Sequence, residues 1–431
     1  MTMKKLLTAI VALLAAHSAL AGVKIEHWVS PAGARVFFVE SRVLPILDVQ
    51  VDFAAGSMFD PPGKSGTAGL TRSVLGLGAG KLDETAIAEQ MADIGATLGG
   101  GADTDRASVA MGTLATAEKR DAALAVLRTV VQAPRFEAAI FEREKARTIA
   151  GLKEAMTRPD SIAGKAFWAA MYPDHPYGRS ATPESVAVLT RDDLAAHHAT
   201  YYTAANASIT LVGDINRGEA EKIAEAIAAG LPKGAPATLP PAPRVAPGKA
   251  VRLAHPASQA HIHIGMPAIE RGNADFFPLI VGNYTLGGGG FVSRLMKEVR
   301  DKRGYAYSVS SYFNPLRQAG PFQIGLQTKR AQAKDAIALS RDVLDGFLKD
   351  GPSMEELAAA KANLTGSFPL RLDSNRKILD NVAVIGFYGL PLDYLDHYQQ
   401  KVQAVTVDDV KRAFSRHVRP ADLMTVTVAA D

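Results

Sequence analysis

Residues 189–213, LTRDDLAAHHATYYTAANASITLVG, decide the fold because a second copy follows 216 residues later. That copy, residues 405–429, reads VTVDDVKRAFSRHVRPADLMTVTVA. In each copy a Thr stands three residues before an Asp, as in a capping box at a helix N-terminus. An amphipathic helix, a short turn and a β-branched strand follow in both. The paired capping residues are Thr190 with Asp193 and Thr406 with Asp409. The repeat therefore predicts two similar halves.

A proline-rich segment separates these halves. Residues 231–249, LPKGAPATLPPAPRVAPGK, contain six prolines and show no hydrophobic periodicity. Such a composition is typical of an extended connector. We therefore predict a first domain at 22–231, a linker at 232–248 and a second domain at 249–431.

The order of predicted elements indicates an α+β fold of two homologous domains, each a mixed, largely antiparallel sheet with helices packed on it. Strands occur in hairpin-like pairs, such as AYSVSSYF at 306–313 and GPFQIGLQT at 320–328. Helices are predicted at 83–98, 274–286 and 291–301, among others. The regular strand–helix alternation of a doubly wound sheet is not found.

The first 21 residues have the composition of a secretory signal peptide. Lys4 and Lys5 precede an apolar run at 6–16, and Ala19-Leu20-Ala21 is a small-x-small cleavage sequence. The run is shorter than the roughly 20 residues needed to cross a bilayer. We expect cleavage after Ala21, no transmembrane segment in the mature chain and a periplasmic location, with secretion to the medium as the alternative.

Charge and cysteine content exclude several classes of site. The formal net charge is +4, of which the predicted signal peptide supplies two. No basic run with interleaved aromatics occurs, so a nucleic-acid partner is not expected. The chain has no cysteine, which excludes disulfides, thiolate zinc ligands and a lipid-modified cysteine anchor.

Residues 286–313, LGGGGFVSRLMKEVRDKRGYAYSVSSYF, form the most patterned stretch of the second half. A nucleotide-binding P-loop needs Lys-Ser/Thr directly after its last glycine, and here Phe291 follows. A dinucleotide-binding fingerprint needs a preceding strand, whereas the preceding residues have helical periodicity. The glycines leave the backbone accessible to another chain. They are Gly287, Gly288, Gly289 and Gly290.

Two side chains in the same stretch are candidates for one cleft. Arg300 is predicted at the end of a helix, and Tyr307 lies seven residues later on a strand. From spacing alone, an ordinary surface arginine and a half-buried tyrosine are the favoured interpretation of these positions.

Two segments carry a resemblance to a known family, the pitrilysin/insulinase-like zinc peptidases or inverzincins. SRLMKEVRDKRGYAYSV resembles part of that family's C-terminal domain, and residues 175–215 resemble the end of its N-terminal domain. The resemblance extends over the mature chain and is strongest to the short bacterial type, in which two-domain chains face each other like a clam. It implies that Arg300 and Tyr307 bind substrate peptide, with Gly287 to Gly290 giving the peptide room.

The zinc motif of that family is missing from this chain. The family signature is H-x-x-E-H, in which two His hold zinc and the Glu acts as base. No such sequence occurs, and no histidine lies between His27 and His175. Arg72 would oppose cation binding. The resemblance assigns the degenerate metal-motif positions to Gly69, Arg72 and Ser73, and the downstream Glu position to Gly151.

Other histidines do not make a metal site in the sequence. His261 and His263 share a strand face, but two ligands are not a site. His197 and His198 are adjacent on a predicted helix and point apart. We therefore expect no cofactor in this chain.

The resemblance implies a non-catalytic subunit of a heterodimeric periplasmic zinc peptidase. This chain would bind and orient peptide, and a homologous partner bearing H-x-x-E-H would hold the zinc. Hydrolysis by this chain alone is not expected. Two alternatives are open: a catalytically inactive peptide-binding or scaffold protein that acts without a peptidase partner, and an independent zinc enzyme with rebuilt ligands.

Overall fold

The structure, a computed structural model, describes residues 22–430. The predicted signal peptide, residues 1–21, lies outside the described residues. Within the described range, no helix combines the length and the apolar character that crossing a membrane requires.

The first half of the chain forms a six-stranded sheet, a separate two-stranded sheet and their helices. Its strands are β1 Glu26–Val29, β2 Arg35–Glu40, β3 Ile46–Phe53, β4 Gly78–Ala79, β5 Leu82–Asp83, β6 Thr97–Gly99, β7 Ala107–Leu114 and β8 Ala207–Gly213. Its helices are α1 Thr67–Val74, α2 Glu84–Asp93, α3 Ala117–Gln132, α4 Ala138–Ala155, α5 Pro159–Met171, α6 Pro183–Ala187, α7 Arg191–Tyr201 and α8 Arg217–Ala228.

The second half repeats this composition after a segment at 232–249 that contains neither helix nor strand. Its strands are β9 Ala250–Ala254, β10 Gln259–Ile269, β11 Ala306–Phe313, β12 Gly320–Lys329 and β13 Met424–Ala429. Its helices are α9 Phe276–Asn283, α10 Ala333–Asp350, α11 Met354–Gly366, α12 Asn375–Tyr388, α13 Tyr394–Ala404 and α14 Val407–His417. Short π-helical turns at Tyr284–Gly288 and Met296–Lys302 lie between α9 and β11.

Each half contributes one mixed sheet. The first has the order β1-β2-β8-β3-β7-β6, and the second has the order β11-β12-β10-β13-β9. In the first sheet only β2 and β8 run parallel, and in the second only β9 and β13 do; the other neighbours are antiparallel. The predicted α+β fold of two homologous domains is confirmed.

The predicted duplication is visible in the capping geometry. Thr190 Oγ1 accepts a hydrogen bond from the Asp193 amide, and the Asp193 carboxylate accepts one from the Thr190 amide. Thr406 and Asp409 form the same reciprocal pair at the start of α14. Each pair satisfies amides that the first helical turn leaves without partners. Both predicted capping boxes are therefore confirmed.

The two halves exchange one helix each. Helix α5 of the first half packs on β10 and β13 of the second sheet, and α12 of the second half packs on β2, β3 and β8 of the first. The two helices begin 216 residues apart, so they are equivalent members of the repeat. This exchange buries surfaces of both halves in one shared interface.

Glycines allow the exchanged helices to pack closely on the sheets of the opposite half. A Cβ atom on Gly386 of α12 would lie 2.5 Å from the ring of Phe37 on β2. On the other side, a Cβ atom on Gly265 of β10 would lie 2.9 Å from the ring of Phe167 on α5. Both rings are buried, so any larger residue at these glycines would push a helix away from its sheet.

A buried carboxylate joins the halves further. Asp105, which precedes β7, is fully buried. It accepts hydrogen bonds from the hydroxyl of Tyr177 at 2.7 Å, from the hydroxyl of Tyr388 at 2.8 Å and from the amide of Arg317 at 2.8 Å. Tyr388 and Arg317 belong to the second half. Burial, with Asp105 alongside, raises the pKa of both tyrosines, so they remain neutral donors.

Three predicted helices differ from the structure. The helix predicted at 83–98 ends at Asp93, because Gly95 adopts a φ of 65° and the edge strand β6 follows. The helix predicted at 274–286 ends at Asn283 and continues as a π-helical turn. The helix predicted at 291–301 was wrong at its start. Gly290, with a φ of 61°, opens a single 3₁₀ turn, and Ser293 is extended before the next helical residues.

Candidate functional site

Helix α1 carries the three residues that the family resemblance assigns to the zinc motif, Gly69, Arg72 and Ser73. Arg72 donates hydrogen bonds from Nε to the Ser108 carbonyl on β7 and from Nη2 to the Gly99 carbonyl on β6, both at 2.5 Å. Burial lowers the pKa of Arg72 from its ordinary value, but an arginine remains charged in proteins. The guanidinium therefore supplies a fixed positive charge between α1 and the edge of the first sheet.

The neighbouring motif positions carry no ligand. Gly69 and Ser73 lie on the exposed side of α1, and Gly151 lies exposed on α4. A Cβ atom on Gly69 or Gly151 would meet nothing within 4 Å. Among residues 22–430, no group of three or more His, Asp or Glu could hold a metal ion. The donor set here does not fit zinc.

The histidines singled out in the sequence are structural. His197 Nε2 lies 3.2 Å from the Ala55 carbonyl, and His198 Nε2 lies 2.9 Å from the Val131 carbonyl. His263 Nδ1 lies 2.7 Å from Gln323 Nε2, and its ring stacks on Phe167. Burial lowers the pKa of His197 and of His263 to about 4. These side chains are therefore neutral and hydrogen-bonded within the fold.

The structure brings Arg300 and Tyr307 together. The guanidinium carbon of Arg300 lies 5.3 Å from the centre of the Tyr307 ring and 4.7 Å from the centre of the Phe291 ring. Both distances suit cation–π contacts. Tyr307 is 87 % exposed and Phe291 is 67 % exposed. The three side chains form an open surface, which we call the Arg300 patch.

Irregular backbone presents the Arg300 patch. Arg300 lies in the π-helical turn Met296–Lys302. Tyr307 lies where the pairing of β11 with β12 shifts register, between Ala306 and Val309. Such shifts re-aim a strand side chain, and π-helical turns occur often at functional sites. Neither irregularity has a sequence signature, so the local geometry could not be predicted.

The glycine segment covers the edge strand β11. Gly287 is buried, and a Cβ atom there would lie 2.5 Å from the amide nitrogen of Ser311. Asn283 Nδ2 donates to the Ser311 carbonyl, and Ser311 Oγ donates to Asn283 Oδ1. A Cβ atom on Gly288 or Gly289 would also lie 2.6 Å from a neighbouring atom. Gly287 thus permits close packing on a sheet edge, which would otherwise present unpaired backbone groups, while Gly288 and Gly289 pack against Asn283 and Tyr284 of the preceding helix and turn.

Two contributors to this surface were missed in the sequence. Phe291 was assigned to a helix, yet the turn after Gly290 places its ring against Arg300. The sequence signal is an apolar pair, Phe291-Val292, directly after the glycines. The pairing of Asn283 with Ser311 joins residues 28 apart and has no local signal.

Comparison with protein families matches both halves. Residues 35–183 match the family described as Insulinase (Peptidase family M16). Residues 189–364 match the family described as Peptidase M16 inactive domain.

Individual relatives agree with these matches. A Helicobacter pylori protein named "Non-peptidase homolog YmxG" is 26 % identical over 406 residues, which are 93 % of each chain. A Streptomyces coelicolor protein named "Uncharacterized zinc protease SCO5738" is 29 % identical over 278 residues, 61 % of this chain and 60 % of that one. The crystal structure of a peptidase M16 inactive domain from Pseudomonas fluorescens has a TM-score of 0.91 at 36 % identity, covering 94 % of this chain and 98 % of that one.

Proposed function

Because this chain belongs to the insulinase family of peptidases, family M16, we propose that it is a non-catalytic subunit of a two-chain zinc peptidase. The partner is a homologous chain that bears H-x-x-E-H and holds the zinc. This chain binds the peptide and orients it toward that zinc. The complex works in the periplasm after removal of the signal peptide.

One observation carries the proposal. The zinc-motif positions hold Gly69, Arg72 and Ser73, while the Arg300 patch remains assembled and open to solvent. A chain that had lost every role in peptide chemistry would gain nothing from 87 % exposure of an aromatic ring. The similarity to a protein named a non-peptidase homologue supports the absence of hydrolysis by this chain alone.

The side chains of the Arg300 patch suit peptide binding. Arg300 offers several N–H donors in one plane, which match a peptide carbonyl or a carboxylate. Tyr307 offers a hydroxyl that can donate to a carbonyl oxygen as it gains negative charge. Phe291 and Tyr307 offer apolar faces to substrate side chains. The zinc-bound water of the partner would supply the nucleophile.

Substitutions in the Arg300 patch test the proposal in the reconstituted pair. We expect Arg300→Ala and Tyr307→Phe each to lower kcat/KM for a fluorogenic peptide by roughly 10- to 100-fold, the range typical of losing one preorganised donor. Size-exclusion chromatography should recover the pair intact, because each substitution alters a single side chain of the Arg300 patch.

Matched controls lie close by. Arg303→Ala removes an exposed arginine three residues away, and Tyr312→Phe removes a hydroxyl from the same strand. Both should turn over peptide at the wild-type rate. Unchanged kcat/KM in Arg300→Ala and Tyr307→Phe would refute the role of the Arg300 patch, and would favour a scaffold that uses the fold without peptide.

A further inference from the structure

We propose that a second site, formed by α9, α12 and α13, binds an amphipathic monocarboxylate of the fatty-acid class. Two adjoining cavities occupy this region, with volumes of about 460 and 230 Å³. They share Arg271, Phe276, Leu390 and Tyr394. The inference does not depend on the proposed peptide-binding function, because it uses none of the residues of the Arg300 patch.

The walls of the cavities are largely apolar. Phe276, Phe277 and Leu390 line the larger cavity, and Leu395 and Tyr398 line the smaller one. An apolar chain placed there would exchange contact with water for contact with rings and branched side chains. A strongly hydrated anion such as phosphate would gain nothing from these walls.

Three cations line the two cavities without carboxylate partners: Arg271 lines both, Arg371 the smaller one and Lys401 the larger one. In the described part of the chain, Arg271, Arg371 and Lys401 form no ion pair; each lies over an aromatic ring instead. Burial raises the pKa of Tyr394 to about 12, whereas the positive charges of Arg271 and Arg371 lower it. Both guanidinium groups therefore act on the same tyrosine hydroxyl in the cleft. The carboxylate in the lining, Asp409, is held by Arg412 and Thr406.

Two buried donors lack acceptors. Tyr398 is 4 % exposed, and its hydroxyl meets the guanidinium of Arg371, which can only donate, so the hydroxyl proton has no acceptor among residues 22–430. The Nε of Arg271 is likewise buried and unpartnered within that range. Leaving buried donors unpaired is costly, and such groups usually find a partner. A carboxylate accepts from both kinds of donor and balances the arginine charge.

Charge and shape together select the ligand class. The head group should be anionic, since the rim carries two unpaired guanidinium groups and one ammonium group. The remainder should be an unbranched apolar chain, because the two cavities continue one another through shared lining residues. A free fatty acid combines both features. The C-terminal carboxylate of a short apolar peptide is the other source of this chemistry.

Calorimetric titration of the purified protein with laurate, below its critical micelle concentration, tests the inference. We expect saturable binding of one equivalent. Arg271→Met and Arg371→Met, which keep an apolar stem, should weaken binding at least tenfold, as expected for loss of a charge-assisted contact. Tyr398→Phe should weaken it severalfold, because the ligand carboxylate loses a hydroxyl donor.

Controls separate this site from general binding to arginine-lined grooves. Arg128 also has a buried, unpartnered Nε, and it lines a groove of about 470 Å³ that contains Asp121 and Glu219. Arg128→Met should bind laurate like the wild type. Dodecanol, which lacks the charge, and butyrate, which lacks the chain, should each bind at least tenfold more weakly.

Three results would overturn the inference. The first is the absence of saturable laurate binding. The second is wild-type affinity in both Arg271→Met and Tyr398→Phe. The third is saturation by Leu-Leu dipeptide with no response to laurate, which would assign the site to peptide termini instead of fatty acids.

Discussion

At the residue scale, Arg72 holds a fixed positive charge between α1 and the first sheet. Its guanidinium bridges two carbonyls, on β6 and β7, and so ties α1 to the edge of the first sheet. The sequence shows directly that no H-x-x-E-H motif occurs, because the motif is local. It did not predict the two carbonyl contacts, since Gly99 and Ser108 are 27 and 36 residues from Arg72.

Removal of these contacts should cost stability. We expect Arg72→Met to lower the free energy of unfolding by about 1–3 kcal/mol, because two carbonyls lose a charged donor. Urea unfolding followed by circular dichroism would measure the loss. Arg147→Met, at a side chain that is 83 % exposed, is the control and should change stability by no more than about 0.5 kcal/mol. Equal stability of both variants would contradict a bridging role for Arg72.

Two of the three side chains of the Arg300 patch could be identified from the sequence. A seven-residue spacing together with the family resemblance selected Arg300 and Tyr307, and the folded chain places their side chains in contact. Phe291 escaped notice because a positive φ at Gly290 redirects the chain just before it. Glycine permits this backbone angle but does not require it, so the sequence could not show that Phe291 lies beside Arg300.

At the element scale, the duplication was predictable and the helix exchange was not. The capping boxes of α7 and α14 repeat at a fixed offset in the sequence. The sheets on which α5 and α12 pack lie in the opposite half. The sequence of an amphipathic helix does not show which sheet covers its apolar face. The same limit applies to the π-helical turn Tyr284–Gly288, in which Gly287 packs against Ser311 of β11.

Two helical glycines test the exchange. Gly386→Ala should lower the free energy of unfolding by about 1–3 kcal/mol, because the added methyl overlaps the buried ring of Phe37. Gly346→Ala on α10, where a Cβ atom meets nothing within 4 Å, should instead raise it by about 0.5–1 kcal/mol through helix propensity. Thermal or urea unfolding of the two variants measures both. Stabilisation by Gly386→Ala would show that α12 does not pack closely on the first sheet.

At the scale of the whole molecule, the exchanged helices and the Asp105 network make the two halves one folding unit. We expect a single unfolding transition. We expect Asp105→Asn to lower the free energy of unfolding by about 2–3 kcal/mol. The amide group cannot accept from two hydroxyls and a backbone N–H as a carboxylate does.

Differential scanning calorimetry would show both the number of transitions and the loss of stability in Asp105→Asn. Asp174→Asn, at an exposed carboxylate for which the structure records no hydrogen bond within the described range, is the control and should leave the midpoint unchanged. Two separate transitions in the wild type, or no shift in Asp105→Asn, would contradict coupling of the halves.

The central claim also concerns the whole molecule. It is that this chain completes a peptidase whose zinc is bound by a partner chain. The most direct measurement is affinity purification of the C-terminally tagged protein from the periplasm of its native host, with identification of proteins recovered near equal stoichiometry. We predict a homologous chain of similar size that contains H-x-x-E-H, and peptide hydrolysis by the pair but by neither chain alone. Recovery of the tagged chain without any H-x-x-E-H homologue would contradict the proposed subunit role.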